Sequence, residues 1–215
     1  MKSVLLIGVG HFGQKIAEKL VEMKHEVLAV DLSEELINDI LPIVTDAQIG
    51  DSTDKKFLST LGVDNFDVCI VTIRNDFQNS LQTTSLLKEF GAKKVVSVAS
   101  NDVHEKFLLR NGADAVIYPE KQLALWTAIT FLSDNVFDYI KIDDEFSIFE
   151  VAVPANWDNK TVGQLSVRQK YGLNIMAIKD DGKLDITITP DTVLTTKQKI
   201  LVLGSIKNVR KCFDI

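Results

Sequence analysis

Short apolar runs alternate with segments of helical spacing over the first 120 residues. The runs are rich in branched side chains and lack polar alternation, which is typical of strands buried on both faces of a parallel sheet. Segments with apolar residues three or four positions apart separate these runs, which predicts helices. The six predicted strands cover residues 3–7, 27–30, 47–49, 67–73, 94–98 and 115–117. This order predicts an α/β fold, a Rossmann-type doubly wound parallel sheet with right-handed crossovers.

The segment from Lys121 to about Asp134 departs from this pattern because it is apolar on nearly every side. A surface helix normally shows one apolar stripe, so this helix needs cover on two sides. Its own domain supplies one cover. The other is either a second subunit or the core of the next domain.

Beyond residue 140 the pattern changes to that of a small α+β domain. A hairpin turn is predicted at residues 180–183, with helices at about 161–168 and 206–212. The predicted strands cover residues 147–153, 173–178, 184–188 and 200–203. We therefore divide the chain into domains at 1–134 and 135–215. A domain this small often completes its core by dimerising.

A glycine-rich turn, Gly8-Val9-Gly10-His11-Phe12-Gly13, joins the first strand to the first helix. In a nucleotide-binding turn Gly8 allows the tight bend, Gly10 lets a pyrophosphate approach the backbone, and Gly13 lets helix and strand pack closely. Asp31 ends the second strand, near the offset expected of a carboxylate that binds ribose hydroxyls. These features predict a nucleotide at the helix N-terminus. The alternative is a turn that is merely rich in glycine.

Further candidate residues lie where strands end, because ligands bind at the carboxyl edge of such sheets. Leu32 follows the second strand, and Gly50-Asp51-Ser52 follows the third. Ser52 or Thr53 can also cap the next helix. Thr72-Ile73-Arg74 ends the fourth strand. A simple strand-to-helix turn is the alternative interpretation of Gly50-Asp51.

Composition narrows the function classes. The net charge is −6, the pI is near 5.1 and no Lys/Arg cluster stands out, which argues against a nucleic-acid partner. No apolar run approaches the ~18 residues that span a bilayer, and Met1-Lys2 leads directly into a strand, unlike a signal peptide. We therefore expect a cytoplasmic protein. Cys69 and Cys212 form no CxxC pair, and the histidines show no metal-ligand spacing.

The whole chain resembles the RCK (TrkA/KtrA) family, the cytoplasmic regulatory subunits and domains of potassium channels and transporters. The motifs that carry the resemblance in the first half are the glycine turn, Val30-Asp31, Gly50-Asp51-Ser52-Thr53 and Tyr118-Pro119-Glu120-Lys121. Those in the second half are Leu165-Ser166-Val167-Arg168, Tyr171-Gly172-Leu173-Asn174 and Ala177-Ile178-Lys179.

The resemblance implies an N-terminal domain that binds NAD/NADH, ADP or ATP. It also implies a helical crossover that pairs subunits into homodimers, rings of four dimers (an octamer), and docking onto a potassium-translocating subunit at the inner face of the membrane. It implies that Asp31 binds the ribose and that the Gly50-Asp51-Ser52 turn lies beside the adenine. It puts Glu120 near the terminal phosphate, with a cation such as Mg²⁺ between them; on chemistry alone Glu120 is an ordinary exposed acid.

A second ligand is also implied. Some KtrA-type relatives bind cyclic di-AMP at the two-fold interface of the C-terminal domain, through an arginine and an asparagine six residues later. Arg168 and Asn174 have this spacing, with Ile175 and Pro190 as apolar walls. An arginine fork suits a phosphodiester. The alternative is that Arg168 pairs with a surface acid and Asn174 starts a strand.

One position departs from the family. Relatives often carry arginine in place of His11, where the guanidinium reaches the nucleotide's phosphates. An imidazole is not a permanent charge, so we expect the chain to hold a highly charged nucleotide less firmly and to favour NAD or ADP over ATP. His11 pointing into solvent is the alternative.

We interpret the chain as a non-catalytic ligand sensor, in which a nucleotide selects between shapes of a ring that gates a membrane protein. The main alternative is an NAD-dependent oxidoreductase, which the first half alone would allow. Such an enzyme needs a proton donor or acceptor at the nicotinamide, and the sequence offers no convincing one. A DNA-binding repressor would need a basic recognition helix, which the sequence lacks. Asp31 argues against NADP because it would repel a 2′-phosphate.

Overall fold

The computed structural model describes residues 1–213. The chain forms two compact units, Met1–Glu120 and a second that begins at Lys121. The sequence-based domain boundary after residue 134 stays a prediction.

The first unit contains a six-stranded parallel sheet in the order β3-β2-β1-β4-β5-β6. Leu5, Leu6 and Ile7 of the central strand are almost completely buried, as the uninterrupted apolar run predicts. The Rossmann-type α/β prediction is confirmed. The strands are β1 Ser3–Ile7, β2 Glu26–Asp31, β3 Asp46–Ile49, β4 Val68–Val71, β5 Val95–Val98 and β6 Ala115–Ile117.

Strand β4 is shorter than predicted because both of its flanks serve other contacts. Asp67 accepts a hydrogen bond from Ser3 N at 2.9 Å, which anchors the start of β1 and lowers the pKa of the Asp67 carboxyl. Thr72 donates its hydroxyl to the carbonyl of Gly8 and so fastens the glycine turn.

The helices of the first unit connect these strands, and short polar side chains cap several of them. Ser33 caps α2, accepting from Leu36 N at 3.3 Å. The predicted cap of α3 is wrong: Asp54 caps it, accepting from Lys56 N at 2.8 Å. The helices are α1 His11–Glu22, α2 Glu34–Ile40, α3 Lys55–Thr60, α4 Phe77–Glu89 and α5 Asp102–Arg110, with a 3₁₀ turn at Val63–Asn65.

Helix α6, Pro119–Phe131, begins at the end of the first unit and continues into the second. As its all-round apolar sequence predicts, it has no single buried face. Trp126 and Ile129 pack against the core of the second unit, and Trp126 donates its indole N–H to Asp138 at 3.0 Å. Leu123 and Phe131 remain 61% and 71% exposed. The helix is thus core on one side and uncovered on another.

The second unit contains an antiparallel sheet in the order β11-β10-β13-β8-β7 and a β12-β9 pair. Phe149, Leu173 and Ile200 lie at the centre of its core with no exposed surface. The predicted α+β class is confirmed. The strands are β7 Val136–Lys141, β8 Phe146–Ala152, β9 Lys160–Thr161, β10 Asn174–Asp180, β11 Lys183–Asp185, β12 Val193–Leu194 and β13 Lys199–Ser205.

Several details of this unit differ from the sequence prediction. Strands β7, β9 and β12 were missed, and β11 ends at Asp185 rather than residue 188. The helix predicted at 161–168 is two helices, α7 Val162–Leu165 and α8 Val167–Tyr171, because Ser166 adopts a left-handed conformation with φ = +51°. The last helix is α9, Ile206–Phe213.

Candidate functional site

A cleft of about 300 Å³ opens at the carboxyl ends of β1, β2 and β4. In the order β3-β2-β1-β4 successive strands are added on one side of β1 up to β3 and on its other side from β4 onward. Helices that leave β1 and β4 on opposite faces of the sheet open a crevice there. This topological switch point is where open α/β sheets bind ligands. The cleft is therefore the candidate site of the first unit.

Three glycines of the first turn meet different steric demands. Gly8 has φ = +91°, and a Cβ there would lie 2.8 Å from Thr72 Oγ1. A Cβ on Gly13 would lie 2.2 Å from the carbonyl oxygen of Gly8, which is backbone and cannot move aside. A Cβ on Gly10 would meet no atom within 4 Å. The fold requires Gly8 and Gly13, whereas Gly10 leaves a space that a ligand can fill.

Gly10 is also the N-cap of α1 and provides no capping side chain. Its carbonyl accepts the first intrahelical bond, from Gln14 N at 2.9 Å. The first amides of a helix have no intrahelical acceptor and carry the positive end of the helix dipole. Together with the open space over Gly10, they suit a phosphate group.

The Asp31 carboxylate is held by two backbone amides. Oδ2 accepts from Val9 N at 2.8 Å, and Oδ1 accepts from Ser33 N at 2.9 Å. Each oxygen can accept a further bond, so the carboxylate is pre-oriented and able to bind two hydroxyls. This fits the role in ribose binding that the sequence suggests.

The turn after β3 is built by its own contacts. Gly50 lies under the ring of Phe57, where a Cβ would approach Cζ to 2.1 Å. Asp51 accepts from the amide and hydroxyl of Thr53 at 2.8 and 2.7 Å, and Ser52 is buried against Thr83 at 2.7 Å. These contacts explain why neither Ser52 nor Thr53 caps α3. The turn, held by these contacts, forms one wall of the cleft.

Arg74 follows β4 and lines the cleft. Its Nη2 donates to Glu120 Oε1 in the first turn of α6, while its Nε is buried and has no hydrogen-bond partner. Asp31, Asp51 and Asp76 also line the cleft, so Arg74 is the only cationic side chain among the described residues that line it. An unsatisfied buried donor calls for an acceptor, and a phosphate oxygen would supply one.

The structure brings most of the predicted nucleotide residues together. His11 is exposed and lies outside the lining, as do Phe12, Gly13 and Glu120. Gly13 packs closely against the Gly8 carbonyl, and Glu120 pairs with Arg74. The predicted residues that line the cleft are Gly8, Gly10, Asp31, Leu32, Gly50, Asp51, Ser52, Thr72, Ile73 and Arg74.

Sequence reasoning missed several lining residues. Ile7 and Val30 lie at or beside the carboxyl ends of strands, so the rule that found Asp31 could have found them. Asp76 caps α4, accepting from Asn79 N at 2.9 Å, and the N-cap position was the available signal. The missed lining residues are Ile7, Val30, Leu36, Thr53, Asn75, Asp76 and Asn79.

The candidate residues of the second unit lie on its surface. Arg168 and Asn174 are exposed and Ile175 is half-buried. The carbonyl of Pro190 accepts from Gly163 N at 2.8 Å, which ties Pro190 to the start of α7. None of these contacts tests the predicted cyclic di-AMP site, which stays a prediction.

The side chains that could bind a metal or act as a thiol nucleophile are poorly placed for either role. Within residues 1–213 no group of three or more His, Cys, Asp or Glu residues could hold a metal ion, so a cation at Glu120 would need ligand oxygens from a nucleotide. Burial raises the pKa of the Cys69 thiol to about 12 and that of Cys212 to about 11. Both thiols are therefore poor nucleophiles.

Comparison with known proteins identifies both units. Residues 4–119 match the TrkA-N domain and residues 146–215 match the TrkA-C domain. The Ktr system potassium uptake proteins C and A of Bacillus subtilis (strain 168) are each 37% identical over 210 residues, which cover 98% of this chain and 95% of each relative.

A solved structure shares the fold. The GsuK channel bound to NAD matches with a TM-score of 0.67 at 20% identity, covering 96% of this chain and 38% of that one. None of the helices described here has the length and apolar character needed to cross a membrane. The two domain matches and the 37% identity along nearly the full length show that the chain belongs to the TrkA/KtrA (RCK) family.

Proposed function

We propose that this protein is a nucleotide-binding regulatory subunit of a potassium uptake system. The observation that carries the proposal is the cleft: an open position over Gly10, a pre-oriented Asp31 carboxylate and an unsatisfied Arg74 Nε surround one space. The full-length relatives are named as Ktr potassium uptake proteins.

The ligand we propose is an adenine nucleotide. The phosphates lie against the first turn of α1 and Arg74, the ribose hydroxyls bind Asp31, and the adenine lies along the Gly50-Asp51-Ser52 wall. NAD and ADP suit the site better than ATP because three carboxylates line the cleft against one guanidinium. A 2′-phosphate beside Asp31 would be repelled, so NADP is disfavoured.

The proposed assembly is a homodimer that builds a ring, with eight subunits as the expected number. Leu123 and Phe131 of α6 support it, because large exposed apolar side chains on one helix mark an association surface. The ring docks on a potassium-translocating membrane subunit at the cytoplasmic face. Nucleotide binding changes the relative stability of two ring shapes and thereby the open fraction of the gate.

A nicotinamide-dependent oxidoreductase, the main alternative, is not supported. The relatives are potassium uptake proteins rather than enzymes. An oxidoreductase would need an acid or base facing the nicotinamide, and the titratable side chains that line the cleft are the three aspartates and Arg74.

The proposed function can be tested by ion flux. The potassium-translocating subunit of the same organism is reconstituted in vesicles, and Rb⁺ uptake is measured with and without this protein, at several concentrations of ADP, ATP and NAD. We expect uptake to depend on the protein and on the nucleotide present. Uptake that is the same in every condition would refute the proposal.

We also propose that the C-terminal unit binds cyclic di-AMP between two subunits. The supporting observation is that the Arg168 guanidinium is exposed and has no acidic partner within residues 1–213, so it is available for a phosphodiester. Calorimetry with cyclic di-AMP should show binding that Arg168→Ala abolishes and that Lys170→Ala, a neighbouring exposed cation, retains. Equal binding by wild type and Arg168→Ala, or none by either, rejects this site.

A further inference from the structure

Arg74 and Glu120 form an ion pair between the cleft and helix α6. Arg74 lines the cleft, whereas Glu120 belongs to the first turn of α6 and lies outside the lining. The Arg74 side chain is 28% exposed and that of Glu120 is 53% exposed. The pair therefore joins a cleft residue to the helix that leaves the first unit.

The charges around Arg74 give this pair its importance. Asp31, Asp51 and Asp76 line the same cleft and repel an anionic ligand. Arg74 is the single cationic side chain in the described lining, and Glu120 already neutralises part of its charge. Any phosphate that enters must therefore compete with Glu120 for Arg74.

The hydrogen-bond donors of Arg74 are only partly used. Nη2 donates to Glu120, while Nε is buried without a partner. A guanidinium presents several donors in a planar fork that fits two oxygens of one phosphate. A phosphate would satisfy the buried Nε, which the Glu120 contact leaves unsatisfied.

We propose that Arg74 exchanges partners, leaving Glu120 to bind the nucleotide's phosphate, and that this exchange releases the first turn of α6. The inference rests on the proposed nucleotide binding and adds its regulation: Glu120 lowers nucleotide affinity, and bound nucleotide frees Glu120. Helix α6 continues beyond the first unit. Its released first turn is therefore the first element outside the cleft whose contacts change when the nucleotide binds.

This exchange predicts the opposite of a metal-ligand role for Glu120. If Glu120 competes for Arg74, Glu120→Gln frees the guanidinium and strengthens ADP binding. If Glu120 instead holds a divalent cation on the phosphates, Glu120→Gln weakens ADP binding in Mg²⁺ and has no effect in EDTA. The two roles are separated by the sign of one change in affinity.

The experiment is a calorimetric titration of ADP into the full-length protein, in Mg²⁺ and in EDTA. We expect Glu120→Gln to lower the Kd at least about threefold in both buffers, the scale of one partly exposed ion pair. Arg74→Ala should raise the Kd about tenfold or more. The double variant Arg74→Ala/Glu120→Gln should match Arg74→Ala, because Glu120 acts only through Arg74.

Two controls define the effect. Glu89→Gln removes a carboxylate from another exposed ion pair, Lys55 Nζ–Glu89 Oε1 at 2.6 Å, and should leave the Kd unchanged. Adenosine lacks phosphates, so its binding should respond to none of the variants.

Amide hydrogen exchange in residues 119–131 should rise when wild type binds ADP and should already be high in Glu120→Gln without ADP.

An unchanged or weakened affinity for ADP in Glu120→Gln would overturn the partner exchange while leaving nucleotide binding intact. Weakening in Mg²⁺ alone would identify Glu120 as a metal ligand. If wild type binds neither ADP, ATP nor NAD, the proposed function itself fails, and that outcome is distinct from the other two.

Discussion

The two units present their candidate ligand residues in opposite ways. In the first unit Asp31, Arg74 and the Gly10 turn come from three strand ends and surround one cleft. In the second unit Arg168 and Asn174 are exposed on the surface. The first cleft is lined by residues that one chain supplies. The second site, as we propose it, is completed only by a partner subunit.

Sheet geometry explains this difference. Parallel strands all end at the same edge, so residues far apart in sequence converge there. Antiparallel strands end at alternate edges, which disperses the loops that follow them. In the first sheet the residues at the carboxyl ends of the strands thus form a pocket, whereas in the second the candidate ligand residues stay on an open surface.

Assembly should respond most strongly to mutation. Leu123→Glu places a charge on the exposed side of α6 and should split the assembly, lowering its mass at least twofold in light scattering. Leu123 is a better position than Trp126 or Ile129, which pack against the core of their own unit. Met23→Glu, a change at a residue that is 66% exposed, is the matched control. A wild-type monomer would show that the second unit needs no partner.

Stability of the first unit depends on the glycine turn. Gly13→Ala forces a Cβ to 2.2 Å from the carbonyl oxygen of Gly8, and overpacking of this kind costs about 1–3 kcal/mol or more. We expect the melting temperature to fall by roughly 5–10 °C, measured by calorimetry or circular dichroism. An unchanged melting temperature would mean that the turn is not packed as described.

The first unit should also lose stability in mild acid through His104. This buried imidazole accepts from Ser100 N at 3.2 Å through Nδ1, contacts Ser80 Oγ at 3.1 Å through Nε2 and lies against the Phe77 ring. No described contact is made by a carboxylate, and burial lowers the pKa of His104.

Because the pKa of His104 is lower in the folded chain, the unfolded chain binds more protons as the pH falls. The contribution of neutral His104 to the free energy of unfolding is therefore fully present above pH ~6.5 and decreases below it. We expect the melting temperature to drop between pH 7.5 and pH 5.5 by about 2–4 °C more in wild type than in His104→Gln. An equal fall in melting temperature in the two proteins would show that His104 does not cause the loss of stability in acid.

The weakest response is expected at His11, which is exposed in the first turn of α1. His11→Arg adds a permanent charge near the proposed phosphate position and should tighten ADP binding about threefold. Met23→Arg adds the same charge at the other end of the helix and should have no effect. If the two variants bind ADP alike, His11 is outside the site.

The sequence predicts most of this fold because the first unit is locally consistent. Its buried strands are uninterrupted apolar runs and its turns carry glycine, so pattern and structure agree. Strand β7 was missed because Val136–Lys141 alternates weakly and is paired only on one side, with β8. The break at Ser166 depends on a left-handed residue that no glycine marks.

The site could be predicted only where backbone geometry dictates it. Gly8, Gly10, Gly13 and Asp31 follow from the turn itself. The Arg74–Glu120 pair joins residues 46 positions apart, and no spacing rule connects them. Likewise, the packing role of Gly50 depends on where the Phe57 ring lies.

Thermal melting of wild type and Gly10→Ala, with and without saturating ADP, tests whether a nucleotide binds at the glycine turn. A Cβ on Gly10 meets no atom of the protein within 4 Å, so both proteins should melt within about 2 °C of each other without ligand. ADP should raise the melting temperature of wild type by several degrees and leave Gly10→Ala unchanged, because the added methyl group occupies the phosphate position. An equal rise in both proteins would contradict nucleotide binding at this turn.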